Sequence, residues 1–588
     1  MNTPLERALQ ILEDDNSVLW DADLKEHAPE GDDKDQDAVK YADAVPTFHG
    51  LSANGDVTGH LVDGNYCSKD DYDKLVADGA PLKGSIVLCR YGGIVRGLKI
   101  KGGQENGAIG TLIYSDPRDD GTVTVDEGFA PYPDGPARNP TSVQRGSVQF
   151  LSIYPGDPTT PGYPSYENTT RTEGTNIPSI PSLPVSWENA KQLLQVLQDG
   201  SPLQGKRVRL FNSVDTRVIP IWNVVGVIPG YIKNEVVVAG NHRDAWVLGA
   251  VDPSSGTVSI HEVIRGFGHL MKKGWKPLRT IVIASWDAEE YGLIGSTEWG
   301  EDFADWIDQH VVAYFNLDSS VGGSKFGTSG SPLLAHFIRD TAQDIPHPTD
   351  ANRTLWDARN DEAADNLGVS PLGSGSDYTV FLQRSGVPST NEGFSPASHD
   401  PVYHYHSVYD SETWQEKYGD PGFSRHIAVA QHLGIQIMRM ANAPVLPFNT
   451  TYYTVQLEGY LDTEFSNMPP FHAPDSNTAD GEVHRPTTPD FERHKRWRKA
   501  LFRAIHRVRV VNDKLRSFEP GFISEGGIKD REWFKHLGVA PGKWLGYGAT
   551  TLPGLTEAIV FDQDKDAANH EAQRLVDLLD NMAAKLKA

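Results

Sequence analysis

The sequence predicts an α/β fold, in which a mostly parallel sheet follows a β-rich region and precedes a helical region. Short β-branched runs alternate with helical stretches over residues 215–442, a pattern typical of a parallel sheet with both faces covered. Residues 1–214 carry strand patterns between loops rich in proline and glycine. Residues 443–588 carry apolar residues at helical spacing. We therefore expect three domains with these boundaries.

In the first region, two strand patterns flank a helical one. Residues 84–89 and 110–115 are short runs of β-branched and apolar residues, and residues 97–108 between them can form a helix. Loops rich in proline and glycine follow over residues 119–166. We therefore expect a small β-rich module here.

The middle region contains three buried-strand patterns, at residues 235–239, 280–285 and 311–315. Helical patterns lie between them, over 256–271 and from about residue 295. In a parallel sheet the ligand site lies beyond the carboxyl ends of the strands. Side chains that end these strands are therefore expected to meet at one edge of the sheet.

The last region holds two amphipathic helix patterns, at residues 491–516 and 567–587. The first places apolar side chains beside a basic face. Such a helix can bind a membrane or nucleic acid, but a core-facing stripe with a solvated charged face is the more common arrangement. Residues 475–490 are expected to form a polar linker.

Composition excludes some classes of protein. The chain has 588 residues and a formal net charge of −25, which argues against non-specific binding of nucleic acid. Its only cysteines are Cys67 and Cys89, so a disulfide framework is excluded, while one bridge between them stays open. The sequence contains no apolar run of about 18 residues, so no transmembrane helix is predicted in it. Residues 1–15 lack the basic start and apolar core of a signal peptide.

Residues of metal-ligand type end these strands or stand in nearby loops: His242, Asp252, Glu290, Asp318 and His406. Two zinc ions about 3.5–4 Å apart can share one carboxylate. We expect Asp252 to be shared, because it stands in a stiff Asp-Pro turn before a helix start. His242 and Asp318 would complete one site and Glu290 and His406 the other, which leaves room for an attacking water.

Glu289 stands just before a ligand in an acidic pair and is expected to be the catalytic base. A zinc pair lowers the pKa of water towards about 7. Glu289 would take the proton of that water and later give it to the leaving amine. Asp244 would either fix the tautomer of the His242 imidazole or be a surface turn residue, and the sequence leaves both open.

Five segments of the chain resemble the glutamate carboxypeptidase II and transferrin-receptor family of zinc peptidases. They are NHRDAW at 241–246, DPSSG at 252–256, SWDAEEYG at 285–292, NLDSS at 316–320 and YHSVY at 405–409. The resemblance extends over nearly the whole chain. It implies two co-catalytic zinc ions, a protease-associated domain at 1–214, a peptidase domain at 215–442 and a C-terminal helical domain that forms homodimers.

The resemblance also bears on cellular location. Members of the family usually carry a cytoplasmic tail, a membrane anchor and a first piece of the peptidase domain, so we expect that N-terminal piece to be missing here. It implies a secretory, vacuolar or cell-surface location. The chain's Asn-X-Ser/Thr sites, at Asn168, Asn352 and Asn449, are about as many as chance predicts.

Four residues are expected to bind a peptide substrate, by the same resemblance: Arg96, Ser376, Tyr405 and Tyr547. Arg96 and Tyr547 would hold the terminal carboxylate, a role that suits a guanidinium. Ser376 stands where relatives have an asparagine, in a loop along the substrate backbone. Tyr405 would donate to the oxyanion of the transition state.

The residues expected around the substrate side chain are less charged than in the glutamate-specific relatives. Ser147 stands at an asparagine position, Gly546 stands at a lysine position, and residues 390–394 replace an arginine cluster. We therefore expect a less acidic side-chain preference.

A structural calcium site is also implied, by Glu298 and Glu301 with backbone oxygens of Thr160 and Tyr163. The two glutamates are one helical turn apart, so both carboxylates share a face of the helix. Hard oxygen ligands suit calcium.

Two other functions remain open. An aminopeptidase on the same metal core would need a carboxylate for the free amine of the substrate and would not need Arg96. A non-enzymatic receptor, as in the transferrin-receptor branch, would lack metal ligands, whereas all five and Glu289 are present here.

Overall fold

The computed structural model describes residues 2–29, 31, 34–359, 369–467 and 495–587. The predicted linker at 475–490 and the first residues of the predicted helix at 491–516 lie outside this part of the chain. Where it is described, that helix runs over Lys495–Arg516.

The first region forms a seven-stranded mixed sheet in the order β2-β1-β9-β4-β5-β6-β8. Its strands are β1 Thr3–Leu12, β2 Val18–Asp21, β4 Gly55–Asp63, β5 Ile86–Arg90, β6 Gly110–Tyr114, β8 Ser182–Val185 and β9 Arg207–Asp215, and a separate short ladder pairs β3 His49–Gly50 with β7 Gly146–Ser147. Its helices are α1 Gln36–Tyr41, α2 Lys69–Ala77, α3 Arg96–Glu105 and α4 Trp187–Leu197. Strands β5 and β6 and helix α3 lie where the sequence predicts them.

The two cysteines of the first region are joined, so the bridge that the sequence left open is present. Cys67 and Cys89 form a disulfide across 22 positions of sequence. Cys89 lies in strand β5, and both residues are completely buried.

The middle region forms a six-stranded sheet in the order β10-β12-β11-β13-β15-β14. Its strands are β10 Val224–Ile228, β11 Ile232–His242, β12 Arg279–Trp286, β13 Val311–Asn316, β14 Lys325–Gly330 and β15 Ser389–Ser395. The four central strands run parallel, and only the edge strands β10 and β14 pair antiparallel. The predicted, mostly parallel sheet is therefore confirmed.

Helices cover both faces of this sheet, and alternate side chains of its strands face opposite ways. On β11, Val236 and Val238 join one buried cluster, whereas Val237 and Ala239 join the other. The second cluster includes apolar residues of α5 and α10, and the first includes residues of the C-terminal region. The helices of the middle region are α5 Ser254–Lys272, α6 Ile294–Asp302, α7 Ala304–His310, α8 Ala335–Ala342, α9 Glu412–Trp414 and α10 Ser424–Asn442.

The C-terminal region is mostly helical and packs on the six-stranded sheet of the middle region. It comprises α11 Thr450–Asn467, α12 Lys495–Arg516, α13 Pro553–Val560, α14 Lys565–Lys587 and a two-stranded ladder of β16 Val539–Pro541 with β17 Ala549–Thr551. On α14, Leu575 and Met582 are buried and Leu578 packs against the core, but Leu579 is 38% exposed. Among the described residues, no helix is long and apolar enough to cross a membrane.

Candidate active site

The predicted ligands converge in two groups that share one carboxylate. One group contains His242, Asp252 and Asp318, the other contains Asp252, Glu290 and His406, and the ligand atoms within each lie within 4.8 Å of one another. The Nε2 atom of His242 lies 3.2 Å from Asp252 Oδ1 and 3.3 Å from Asp318 Oδ1. The Nε2 atom of His406 lies 3.3 Å from Asp252 Oδ2 and 3.2 Å from Glu290 Oε2. A His/Asp cluster of this kind could bind a metal.

Neighbouring parallel strands explain how the first group forms. His242 is the last residue of β11, and Asp318 follows β13. The Asn241 side chain ties these ends together, since its Nδ2 donates to the carbonyl oxygens of Leu317 at 2.8 Å and Asp318 at 3.1 Å. The start of α5 also packs closely, because a Cβ on Gly256 would lie 2.0 Å from the Asp318 carbonyl oxygen.

Asp252 is held in the middle of the site by a second carboxylate, that of Asp410. Asp410 accepts the amides of Val251 at 2.7 Å and Asp252 at 3.2 Å, and the Tyr403 hydroxyl at 3.0 Å. Burial raises the pKa of Asp410 to about 7. The Asp252–Pro253 peptide bond is cis. Asp410 directly follows the YHSVY segment, but its role could not be predicted from the sequence, because the amides that it accepts belong to a distant loop.

Asp244 holds the loop at residues 287–290, which we call the acidic loop. This role falls between the two that the sequence left open for Asp244. Its carboxylate accepts the backbone amides of Glu289 at 3.0 Å and Glu290 at 3.2 Å. Its backbone carbonyl oxygen, rather than its carboxylate, lies 3.0 Å from His242 Nδ1 and fixes that imidazole. The loop also needs a left-handed residue, Ala288, with φ 57°.

Glu289 stands beside both groups without belonging to either. Its Oε2 lies 3.9 Å from His242 Nε2, and Glu289 lines the cavity that opens over the ligand groups. Burial raises the pKa of Glu289 and of Glu290 well above the ordinary value of a glutamate. The Glu290 Oε1 atom is buried and has no hydrogen-bond partner. Divalent cations would offset the charge of these crowded carboxylates, so the donor set fits metal ions.

A cavity of about 560 Å³ opens over these residues. Tyr405 and Tyr547 line it with Ser147, whereas Arg96 and Ser376 do not. Arg96 is only 4% exposed, and its guanidinium donates to the Tyr547 hydroxyl at 3.3 Å and to Gln144 Oε1 at 3.1 Å.

The remaining substrate residues occupy different surroundings. The Ser376 hydroxyl is buried and accepts from Asn316 Nδ2 at 2.9 Å, while the neighbouring Gly375 lines the cavity. The Tyr405 ring stacks on the His406 imidazole at 3.5 Å between centroids. Gly546 has φ 81°, and a Cβ there would meet Val95 Cγ1 at 2.0 Å, so that this position excludes a side chain.

The loop that contains Thr160 and Tyr163 contacts α6, the helix that carries Glu298 and Glu301. Glu298 Oε1 accepts the amide of Asp157 at 2.8 Å, and Glu301 Oε1 accepts Trp533 Nε1 at 2.6 Å. The second carboxylate oxygens of Glu298 and Glu301 are buried and have no hydrogen-bond partner. Burial raises the pKa of Glu298 to about 9 and of Glu301 to about 7. Thr160 is buried in this loop, and its carbonyl oxygen accepts the amide of Tyr163 at 3.3 Å.

Three family descriptions match parts of the chain. Peptidase family M28 matches residues 223–419, the PA domain matches 57–149 and the transferrin receptor-like dimerisation domain matches 489–587.

Several similar proteins carry peptidase names, and one carries a vacuolar protein sorting name. A "Probable glutamate carboxypeptidase" of Arthroderma benhamiae is 42% identical over 95% of this chain and 80% of its own length. The "Aminopeptidase NAALADL1" of Rattus norvegicus is 33% identical over 87% of this chain and 74% of its own length. The "Vacuolar protein sorting-associated protein 70" of Saccharomyces cerevisiae is 31% identical over 93% of this chain and 72% of its own length. A solved M28 peptidase precursor of Shewanella amazonensis covers 76% of this chain and 83% of its own, at 16% identity and a TM-score of 0.45.

Proposed function

Because the chain belongs to the glutamate carboxypeptidase and transferrin-receptor-like family of M28 zinc metallopeptidases, we propose that it is a two-zinc exopeptidase that releases a C-terminal residue. The observation that carries the proposal is the pair of ligand groups joined by Asp252. His242 and Asp318 would hold one zinc ion, Glu290 and His406 the other, and Asp252 both. The presence of all five ligands argues against a non-catalytic receptor.

Glu289 is the proposed general base. When bound, zinc pairs supply Lewis acidity and lower the pKa of water towards about 7. The Glu289 carboxylate lines the cavity next to the ligand groups, where it can accept a proton from the attacking water and return it to the leaving nitrogen. Asp244 keeps that carboxylate in place through the loop amides. The Tyr405 hydroxyl would donate to the carbonyl oxygen as it gains charge.

Tyr547 and Arg96 would recognise the terminal carboxylate of the substrate. Tyr547 lines the cavity, and Arg96 lies against its hydroxyl. In this arrangement the tyrosine makes the contact, and the buried guanidinium supplies the positive charge behind it. Ser147 is a short residue in the cavity lining, and Gly546, next to Tyr547 in sequence, has no room for a side chain. The asparagine and lysine of glutamate-specific relatives are therefore missing. We therefore propose that neutral terminal residues are preferred.

An aminopeptidase is the second candidate, and one observation favours it. Glu392 lines the cavity and has one carboxylate oxygen, Oε1, without a hydrogen-bond partner. Its other oxygen lies 2.8 Å from His432 Nδ1 and accepts from Gln436 at 2.9 Å. Its side chain is 1% exposed, so it could receive the free amine of a substrate once the groups that cover this oxygen are displaced. The name of the similar rat protein agrees with this candidate.

Two further features complete the proposal. Glu298 and Glu301 would share a structural calcium with oxygens of the loop that contains Thr160 and Tyr163, since each glutamate keeps an open, buried oxygen. The C-terminal region would form a homodimer, as its match to the dimerisation domain suggests.

The deciding experiment measures zinc content and peptide hydrolysis for wild type and Glu289→Gln. We expect two zinc ions per chain in both proteins, with kcat lowered at least about 10³-fold in the variant. Glu262→Gln, on the exposed side of α5, is the matched control and should be fully active. A wild-type protein that binds no zinc would refute the proposal. Peptides blocked at one end or the other then separate the two exopeptidases, since only a carboxypeptidase accepts a blocked amino end.

A further inference from the structure

His406 is held in place by an ion pair of the first region, Glu26 with Arg145. We propose that this pair positions His406 as a metal ligand, so that one of the two metal sites depends on the first region. This inference rests on the proposed function, because it concerns the zinc affinity of a single site.

Arg145 contacts His406 through both its backbone and its side chain. The Arg145 carbonyl oxygen lies 3.1 Å from His406 Nδ1, which fixes the rotation of the imidazole and turns Nε2 towards Glu290 and Asp252. The Arg145 amide and Nη1 both donate to the His406 carbonyl oxygen, each at 3.3 Å. His406 has φ 58°, a conformation that a non-glycine residue keeps only where its surroundings impose it.

Glu26 joins the segment of Arg145 to the loop that follows His406. Its Oε2 accepts Arg145 Nη1 at 2.7 Å and the Val408 amide at 3.2 Å. Its Oε1 accepts the Val143 amide at 2.8 Å and the Ser407 hydroxyl. The side chains of the pair are 0% and 1% exposed, so these bonds form away from water, where they restrain geometry strongly.

Arg145 itself is fixed to a third segment. Its Nη2 donates to the Val45 carbonyl oxygen at 2.8 Å and its Nε donates to that of Pro46 at 3.1 Å. The pair therefore links three separated stretches of the first region to the His406 loop. The contacts of Arg145 include the imidazole and the carbonyl oxygen of His406, and those of Glu26 include the two residues that follow.

The two metal sites differ in this respect. His242 and Asp318 are presented by adjacent strands of one sheet, β11 and β13. His406 instead lies in a loop after β15, and its outer contacts come from the first region. Loss of the Glu26 charge should therefore weaken the zinc site of Glu290 and His406 and spare that of His242 and Asp318.

The test is a zinc titration of Glu26→Gln against a chromophoric chelator of known affinity. Changes to residues behind metal ligands cost about 10- to 100-fold in metal affinity, so we expect one of the two zinc dissociation constants to rise by that factor. The other should stay within about twofold, by the same reasoning. The Asp318→Asn and Glu290→Gln backgrounds, which each remove a ligand of one site, assign the weakened ion.

A matched control is available in strand β11, which carries His242. Glu235 also forms a buried ion pair, with Arg279 Nε at 2.6 Å, and Arg279 also donates to backbone carbonyl oxygens, those of Met440 and Ala443. Glu235 lies towards the start of β11, at the opposite end from His242. Glu235→Gln should lower the melting temperature while both zinc affinities stay at the wild-type values.

The outcomes separate this inference from the proposed function. A wild-type chain without zinc would remove both. Two zinc ions in the wild type, with unchanged affinities in Glu26→Gln or an equal loss at both sites, would overturn the positioning role alone. If Glu26→Gln does not fold, Ser407→Ala removes one donor to Glu26, and an unchanged affinity at the His406 site in that variant would overturn it equally.

Discussion

Replacement of Glu298 and Glu301 by glutamine is expected to stabilise the calcium-free protein at neutral pH and to abolish its response to calcium. Without a cation, burial raises the pKa of Glu298 from 4.5 to about 9 and of Glu301 from 4.5 to about 7. Each folded carboxyl then keeps its proton where the unfolded chain releases it. The free energy of unfolding therefore falls as pH rises from the unfolded pKa towards the folded one.

The size of this effect follows from the two shifts. Between pH 5 and pH 8, Glu298 should lower the free energy of unfolding by about 4 kcal/mol and Glu301 by about 2.5 kcal/mol. Calcium would bind the ionised pair and remove this pH dependence. At a concentration of about 100 times its dissociation constant, it would add about 2.7 kcal/mol.

Denaturant unfolding of wild type and the double glutamine variant measures the difference at each pH, with free zinc held constant. Effects of all other titrating groups are common to both proteins and cancel in that difference. We expect the wild type to lose stability relative to the variant as pH rises without calcium, and to recover it with calcium. A difference that is flat from pH 5 to pH 8, together with equal calcium responses, would refute the reasoning.

Three further perturbations test the substrate residues and the disulfide. Arg96→Ala removes the charged hydrogen bond to Tyr547 and the positive charge behind it, so KM for peptides with a free carboxyl end should rise about 10- to 100-fold, while KM for amidated peptides should change little. Steady-state kinetics with both sets of peptides measures the two effects, and equal increases in KM would contradict the carboxypeptidase. Tyr405→Phe should lower kcat about 10²–10³-fold with zinc content unchanged, and a normal kcat would exclude its role at the oxyanion. The double change Cys67→Ser and Cys89→Ser opens a loop of 22 positions and should lower the free energy of unfolding by about 3 kcal/mol, measured in denaturant; an unchanged midpoint would mean that the bridge adds no stability.

The parallel part of the sheet was predictable, because its strands are buried on both faces and read as continuous apolar runs. Parallel strands bring their carboxyl ends to one edge, so His242 and Asp318 could be placed together from their positions after such runs. The antiparallel edge strand β14 was not predictable, since Lys325–Gly330 has glycine and small polar residues in place of an apolar run.

The residues behind the ligands could not be found in the sequence. Asp410 and Asp244 act by accepting backbone amides, and which amides a loop presents depends on its folded conformation. Glu26 lies 381 positions from Ser407 and 382 positions from Val408, and no local sequence pattern carries information over such a separation. Their side chains are ordinary acidic residues until the fold brings them under a metal ligand.

The candidate site thus combines parts with different structural origins. One edge of the peptidase sheet supplies His242, Asp318 and the acidic loop. The first region supplies Arg96 and holds His406, while the C-terminal region supplies Tyr547, whose carbonyl oxygen accepts the Ser374 amide at 3.2 Å. Because the substrate contacts come from outside the sheet, they can differ between relatives without disturbing the metal ligands. The same division means that zinc binding at the proposed His406 site should respond to the docking of the first region, whereas binding at the proposed His242 site should not.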